Sequence, residues 1–339
     1  MAVSSPPTLQ DIARALGLSV TTVSRALAGY SDVAPATRER VRQMARKMGY
    51  RPHAWARRLR QRRTDTLGFI IPTHGPRFSD PFFSEFLAGI GNEAAQHDYD
   101  LLVSTHGPGQ REIDAYERMV AERRVDGFLL VRTRVDDPRV RFLLAHQVPF
   151  VTFGRTQAEN AHPWVDVDGE AGLYALTQLC LQHGHRRIAY IGAPPDLMHA
   201  RHRLAGYRRA LADAGVPQNP AWVQVGDLTE ESGYRAAQVL LRLRPRPTAL
   251  LAANDLMALG ALAAVHEAGL QVGKDVAVAG FDDVPLAAHT QPPLTTVHQP
   301  IYDIGRRIVA MLIALLRGQP LPQQQVLLQP RLVVRASCP

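Results

Sequence analysis

Apolar and polar positions follow two different rhythms along this chain, and the rhythm changes near residue 64. Before it, apolar residues recur at helical spacing in short bursts. Leu9, Ile12, Ala13 and Leu16 form one stripe, Leu18, Val23 and Leu27 continue it, and Val41, Met44, Ala45 and Met48 form another. Three short amphipathic helices are predicted. Thr8 stands as an N-cap with the Asp11 carboxylate in the positive first turn, and Gly17 ends the helix as a φ-tolerant residue. Ser19 caps a second helix running to about Ala28, and Pro35 opens a third that runs to Met48. Residues 53–63 (His53-Ala54-Trp55-Ala56-Arg57-Arg58-Leu59-Arg60-Gln61-Arg62-Arg63) have helical propensity but almost no apolar face, so they are not expected to form a stable helix alone.

Beyond residue 64 short apolar runs alternate with amphipathic helices. Strands are predicted at Leu67–Pro72, Tyr99–Ser104, Gly127–Val131, Pro149–Phe153, Arg187–Ile191, Trp222–Val225, Ala249–Ala252 and Val276–Phe281. Helices are predicted at Phe82–His97, Glu112–Glu122, Pro138–Ala145, Glu170–Gln182, Arg203–Ala214, Glu231–Leu243, Ala258–Ala268 and Ile304–Leu316. Strand–helix alternation at this pitch argues for parallel sheets covered on both faces, and so many strands argue for two α/β lobes.

Composition adds a polarity to this division. The chain has 339 residues, 46% hydrophobic and 21% charged, which is ordinary for a globular protein. Its net charge of +8 is unevenly spread: 13 basic and 3 acidic residues up to Arg63 give +10, and the remaining 26 and 28 give −2. A basic head on a near-neutral body is the footprint of a polyanion-binding module, although a charge run by itself also reads as a solvated face. Cys180, on an apolar helix stripe, and Cys338 are the two cysteines, and they suggest neither a disulfide framework nor a metal site. The first seven residues lack a signal-peptide pattern and no apolar run is long enough to span a membrane, so a cytoplasmic protein without membrane contact is expected.

The helix-turn-helix sharpens the polyanion to duplex DNA, because such a motif lays its second helix in the major groove. Val20, Thr21 and Arg25 are left facing outward on that helix, and arginine pairs bidentately with guanine. The arginines of residues 53–63, with one leucine, suit a segment that orders on DNA, Leu59 acting as a wedge in the minor groove. The runs Thr8-Leu9-Gln10-Asp11-Ile12-Ala13, Val20-Thr21-Thr22-Val23-Ser24-Arg25-Ala26-Leu27, Thr37-Arg38-Glu39-Arg40-Val41 and Gly49-Tyr50-Arg51-Pro52 resemble the DNA-binding head of the lactose-repressor (LacI/GalR) family. Ala56-Arg57-Arg58-Leu59 is similar to that family's hinge helix, with Leu59 at the intercalating leucine. Ala34 departs from the serine or threonine usual before the third helix, which weakens a cap by about 1 kcal/mol. The resemblance implies base contacts from Val20, Thr21 and Arg25. It implies phosphate contacts from Thr8, Ser19, Thr22, Ser24, Thr37 and Tyr50, and hinge contacts from Ala56, Leu59 and Arg60.

The body resembles the type I periplasmic sugar-binding fold that the family carries behind its head, so the expected fold is an all-α helix-turn-helix head on a two-lobed, doubly wound α/β body. This implies a headpiece at 1–53, a hinge at 54–63, a first lobe from 64–156 with 297–323, and a second from 157–296 with 324–339. The chain is then expected to cross between lobes near Gln157, Val297 and Gln324. Ligand sits in such a cleft at the carboxyl ends of the strands. Asp80, Phe82, Phe83, Arg155, Arg203, Asn254, Asp282 and Gln299 match the ligand-bearing positions, with Leu228 where an aromatic often covers the ligand. Several have blander readings: Asp255 and Asp283 as helix caps or backbone partners, Phe82 and Phe83 as core aromatics, and Arg155 as a surface residue. Gly154, where many monosaccharide binders have an acid, and Leu228 both make room.

The combined reading is a homodimeric (or tetrameric) transcriptional repressor, with no cofactor or metal, bound to pseudo-palindromic operator DNA. Its effector is a sugar, such as a disaccharide or a glycoside, with a purine corepressor as the competing ligand. A free solute-binding protein and an α/β enzyme are the other classes. The first conflicts with the head, and the second with the lack of a nucleophile elbow, phosphate loop or metal-ligand cluster.

Overall fold

A computed structural model of the chain describes residues 7–50, 63–72, 80–107, 109–157 and 162–339. The hinge positions Ala56, Leu59 and Arg60 lie outside the described residues.

The head is a three-helix unit: α1 (Leu9–Leu16), α2 (Val20–Leu27) and α3 (Pro35–Lys47). Its boundaries follow from local chemistry. Thr8 Oγ1 accepts from the Asp11 backbone N–H at 3.3 Å while the Asp11 carboxylate accepts from the Thr8 N–H at 2.9 Å, a reciprocal capping box. Gly17 turns the chain with φ of 63°, a left-handed conformation that a side chain would strain. Ser19 Oγ accepts from the Thr22 N–H at 3.0 Å to start α2, whereas α3 begins at Ala34 without a side-chain cap. Ile12, Ala13, Val23, Ala26, Val41 and Ala45 form the core, and Leu9, Leu16, Leu18 and Leu27 close it from the rim.

The body carries two parallel sheets. The first lobe's strands are β1 (Thr66–Pro72), β2 (Asp100–His106), β3 (Gly127–Leu130), β4 (Phe150–Phe153), β5 (Trp164–Val167) and, far along the chain, β11 (Gln325–Leu328), in the order β11-β5-β4-β3-β1-β2. Helices α4 (Pro81–Gln96), α5 (Gln110–Ala121), α6 (Pro138–Ala145) and α11 (Ile301–Leu316) belong with them. The second lobe has β6 (Ile188–Gly192), β7 (Val223–Val225), β8 (Ala249–Ala252) and β9 (Ala277–Ala279) in the order β7-β6-β8-β9. Its helices are α7 (Gly169–Gln182), α8 (Met198–Asp213), α9 (Glu230–Arg242) and α10 (Asp255–Glu267). A two-stranded antiparallel ribbon, β10 (Thr296–His298) with β12 (Arg331–Val333), lies beside the crossings. β3 and β4 are buried at every position, as are β6, β8 and β9, apart from a half-buried Phe153. Such continuous apolar strands are what a sheet covered on both faces demands.

Two expected crossings move. β5 pairs with β4, and β11 pairs with β5 from Gln325↔Trp164 to Leu328↔Val167. The chain therefore stays in the first sheet to Val167 rather than leaving near Gln157, and it returns to that sheet through Leu328 rather than leaving near Gln324. Parallel hydrogen bonding across β4, β5 and β11 is the physical reason. β10 stays tied to the second lobe through the Asp282 N–H, which donates to the Val297 carbonyl at 2.8 Å, and α11, which packs against α4, follows it directly.

Candidate functional site

In both sheets strand order reverses about a first strand (β1 and β6), so the strands flanking it start connections to opposite sides and leave a crevice at their carboxyl ends. The residues that follow those ends line one cleft between the lobes, enclosing about 680 Å³ including its open mouth. Seven of the nine expected ligand residues are there: Asp80, Phe82, Arg203, Leu228, Asn254, Asp282 and Gln299.

Phe83 and Arg155 are not among the lining residues. Phe83 is 1% exposed and packs edge-on to Phe82 with ring centroids 5.2 Å apart. Successive residues on a helix point about 100° apart, so only one of the pair reaches the cleft. That one is Phe82, stacked on Phe153 at 6.0 Å with 12° between planes. Arg155 is captured by the neighbouring strand: its Nε donates to Asp166 at 2.7 Å, and its guanidinium lies 5.8 Å from the Trp164 ring centre.

Other residues take part that sequence reasoning passed over, among them Arg132, Thr133, Asp166 and His199, and His202 joins them beside Arg203. Arg132 lies two residues past the end of β3, where a strand-end rule finds it. Asp166 sits in β5, a strand too short and polar to read from pattern.

Charges in the cleft come in matched pairs. Asp80 caps α4, accepting from the Phe82 N–H at 3.1 Å, and receives Arg132 at 2.7 Å. Burial pushes the Asp80 carboxyl up while Arg132 pulls it down, and burial lowers Arg132. Asp282 accepts from Gln299 Nε2 at 2.6 Å and faces Arg203 at 3.7 Å. Arg203 also donates to the Ala253 carbonyl and lies over the Phe281 ring, 3.7 Å from its centre. Burial drives the Asp282 carboxyl well above its ordinary range, against the pull of Arg203. Asp166 is matched by Arg155. Burial holds His199 well below its ordinary value, with Arg203, Arg132 and His202 adding to the effect, so this imidazole is neutral at neutral pH. Burial lowers His202 too.

Asn254 serves first as a scaffold: its Oδ1 caps α10 through the Met257 N–H at 3.0 Å, and its Nδ2 donates to the Leu228 carbonyl at 3.0 Å. Of the two neighbouring acids, Asp255 takes a backbone partner as the blander reading had it, whereas Asp283 is engaged by side chains. Asp255 accepts from Thr296 Oγ1 at 2.6 Å and the Val284 N–H at 2.9 Å, with its carboxyl pushed up to about 6 by burial. Asp283 pairs with His298 at 3.0 Å and Arg335 at 2.7 Å. Gly154 does more than make room, since its φ is 109° and a Cβ there would sit 2.4 Å from Thr133 Oγ1.

On the head, Val20 is 42% exposed and Thr21 is also exposed. Arg25 is half-exposed and engaged: its Nη2 and Nε donate to the Asp32 carboxylate, and its guanidinium lies 4.9 Å from the Tyr30 ring centre. Thr8, Ser19 and Thr22 all serve the caps, with Ser19 and Thr22 hydroxyls 2.8 Å apart. Tyr50 is 9% exposed and belongs to the head core.

Residues 8–53 match the family "Bacterial regulatory proteins, lacI family", and residues 177–338 match the periplasmic binding protein-like domain. The chain is 38% identical over 336 residues to the HTH-type transcriptional regulator AglR of Rhizobium meliloti (strain 1021), covering 98% of this chain and 94% of that protein. It is 36% identical over 337 residues to the HTH-type transcriptional regulator CelR of Thermobifida fusca, covering 98% of each. Among solved structures, a transcriptional regulator CelR–cellobiose complex superposes with a TM-score of 0.76 at 35% identity, over 98% of this chain and 99% of that one. The lac repressor dimer bound to operator and the anti-inducer ONPF gives 0.84 at 29% identity over the same shares.

Proposed function

Because the chain belongs to the LacI family of bacterial transcriptional regulators, we propose that it is a repressor whose hold on its operator is set by an uncharged sugar, of disaccharide or glycoside size, in the cleft. The observation that carries this reading is the charge balance of the cleft. Asp80 with Arg132, Asp166 with Arg155, and Asp282 with Arg203 leave each guanidinium facing a carboxyl group, while His199 is neutral. An anionic ligand finds no unmatched cation in that set. Paired charges do give strong hydrogen bonds to hydroxyls, and the stacked Phe82 and Phe153 offer an apolar face to sugar C–H groups. The relative solved with cellobiose supports the same ligand class. The matched charges speak against a nucleotide or a sugar phosphate, and the hydroxyl-binding set disfavours a purine.

On DNA, Val20 and Thr21 contact base edges and Arg25 reads guanine after exchanging Asp32 for it. Thr8, Ser19, Thr22, Ser24, Thr37 and Tyr50 position phosphates, and Ala56, Leu59 and Arg60 engage the minor groove at the centre of a two-fold site. The two-fold site calls for a homodimer, like the lac repressor dimer bound to operator. Sugar and operator compete by favouring different lobe arrangements, and a coupling of roughly 1–3 kcal/mol suffices for a switch. The regulatory role calls for no catalysis.

The test is operator selection from random duplexes, then fluorescence anisotropy on the selected site with mono- and disaccharides, sugar phosphates and purines. Release by a neutral disaccharide at concentrations where phosphates and purines do nothing supports the reading. No duplex preference, or a response confined to anionic ligands, refutes it.

A further inference from the structure

The two cysteines of the chain, 158 residues apart in sequence, meet in the second lobe with their sulfurs 3.5 Å apart and no exposed surface on either residue. Cys180 lies near the end of α7, the helix whose first residue, Gly169, forms part of the cleft wall. Cys338 is held on a segment stitched to the same lobe: the Val278 N–H donates to the Ser337 carbonyl at 2.9 Å and Ser337 Oγ to the Val278 carbonyl at 2.6 Å. Thr295 Oγ1 donates to the Cys338 carbonyl at 3.0 Å. Buried cysteines commonly pack as small hydrophobes, but packing alone does not require the two thiols to choose each other.

We infer that Cys180 and Cys338 are a modification site, forming a reversible intramolecular disulfide when the protein meets a peroxide. A disulfide needs about 2.05 Å between sulfurs, so the pair must close by about 1.5 Å. Hydrogen bonding from Cys180 lowers Cys338 and raises Cys180, so Cys338 is the sulfur that ionises first. When local opening of the segment that carries it admits hydrogen peroxide, its thiolate attacks, breaking the O–O bond to give a sulfenic acid and one water. The Cys180 sulfur then displaces the hydroxyl from that sulfenic sulfur, forming the S–S bond and releasing the second water. Both thiol protons end in water, and one peroxide is reduced by two electrons. The bond ties α7, which follows the first crossing between the lobes, to the segment that follows the last one. The oxidised protein therefore has a stapled second lobe.

The experiment treats the full chain with a slight excess of hydrogen peroxide, then unfolds it in N-ethylmaleimide for intact mass and non-reducing peptide mapping. The expected result is loss of two hydrogens, no alkylated thiol, a Cys180–Cys338 peptide, and a melting temperature raised by several degrees that dithiothreitol restores. Cys338→Ser and Cys180→Ala, made separately so that one misfolding variant does not decide the matter, should each abolish both the crosslink and the shift. Two alkylatable thiols surviving treatment, oxygen addition without crosslinking, or a bond only between chains would overturn the inference.

Discussion

Replacing Arg203 by methionine removes the guanidinium that faces Asp282 while keeping most of the side-chain volume. Both side chains are under 10% exposed, at 8% and 9%, so water screens their interaction little. Breaking a buried pair by deleting one partner costs about 3–5 kcal/mol, mostly from the stranded charge. The low end applies here, because the pair is long at 3.7 Å and Asp282 keeps the Gln299 donor at 2.6 Å. A loss of about 3 kcal/mol is expected. The sign of its pH dependence is fixed: a carboxyl whose folded pKa is raised binds its proton more tightly folded than unfolded. The Asp282 contribution to stability is then fully present below the ordinary value of 3.8 and is lost as pH climbs through the raised folded value. Without Arg203 that decline should extend to higher pH. Urea melts of the full chain across pH 5–8 read both effects, and Arg203→Met combined with Asp282→Asn should recover about 2 kcal/mol. If the double variant is no more stable than Arg203→Met alone, the stranded carboxylate is not the source of the loss.

Arg25→Ala should weaken specific operator binding by about 1–3 kcal/mol and relax preference at one base pair, read by competition among duplex variants. Asp32→Ala should leave non-specific affinity near that of the parent but alter discrimination at the same base, since Asp32 orients the Arg25 guanidinium; unchanged discrimination would remove that role. Ser19→Ala should cost the head about 1 kcal/mol of stability through its lost cap, measured by thermal melting. Gly154→Ala should destabilise the body by about 1–3 kcal/mol, combining left-handed strain with collision at Thr133, and should lower sugar affinity by calorimetry.

The head was almost fully legible because its signals are local. Thr8, Asp11, Gly17 and Ser19 each declare a helix end within four residues, and the structure uses every one of them. The long helices and inner strands were legible for a related reason, since continuous burial leaves an unbroken apolar run. β5, β10, β11 and β12 were not, being three or four residues long and carrying Asp166, His298, Gln325 and Arg331. Their register is imposed by partners far away in sequence, and so were the crossings. The same nonlocality hid the fate of Arg155, whose partner lies on one of those unseen strands. Local pattern also cannot rotate a helix finely enough to tell Phe82 from Phe83.

The placement of β11 has a further consequence for biogenesis. Residues 325–328 pair with 164–167, so the sheet's outer edge on β5 stays bare until nearly the whole chain has left the ribosome. Helix α11, which covers α4 and contacts β3, β4 and β5, arrives equally late. During synthesis the first half of the body must therefore wait, with apolar surface uncovered, while the second lobe is made in its entirety. A single-lobe chain with residues 301–328 joined directly behind β5 should give a higher soluble yield than residues 65–167 made without them.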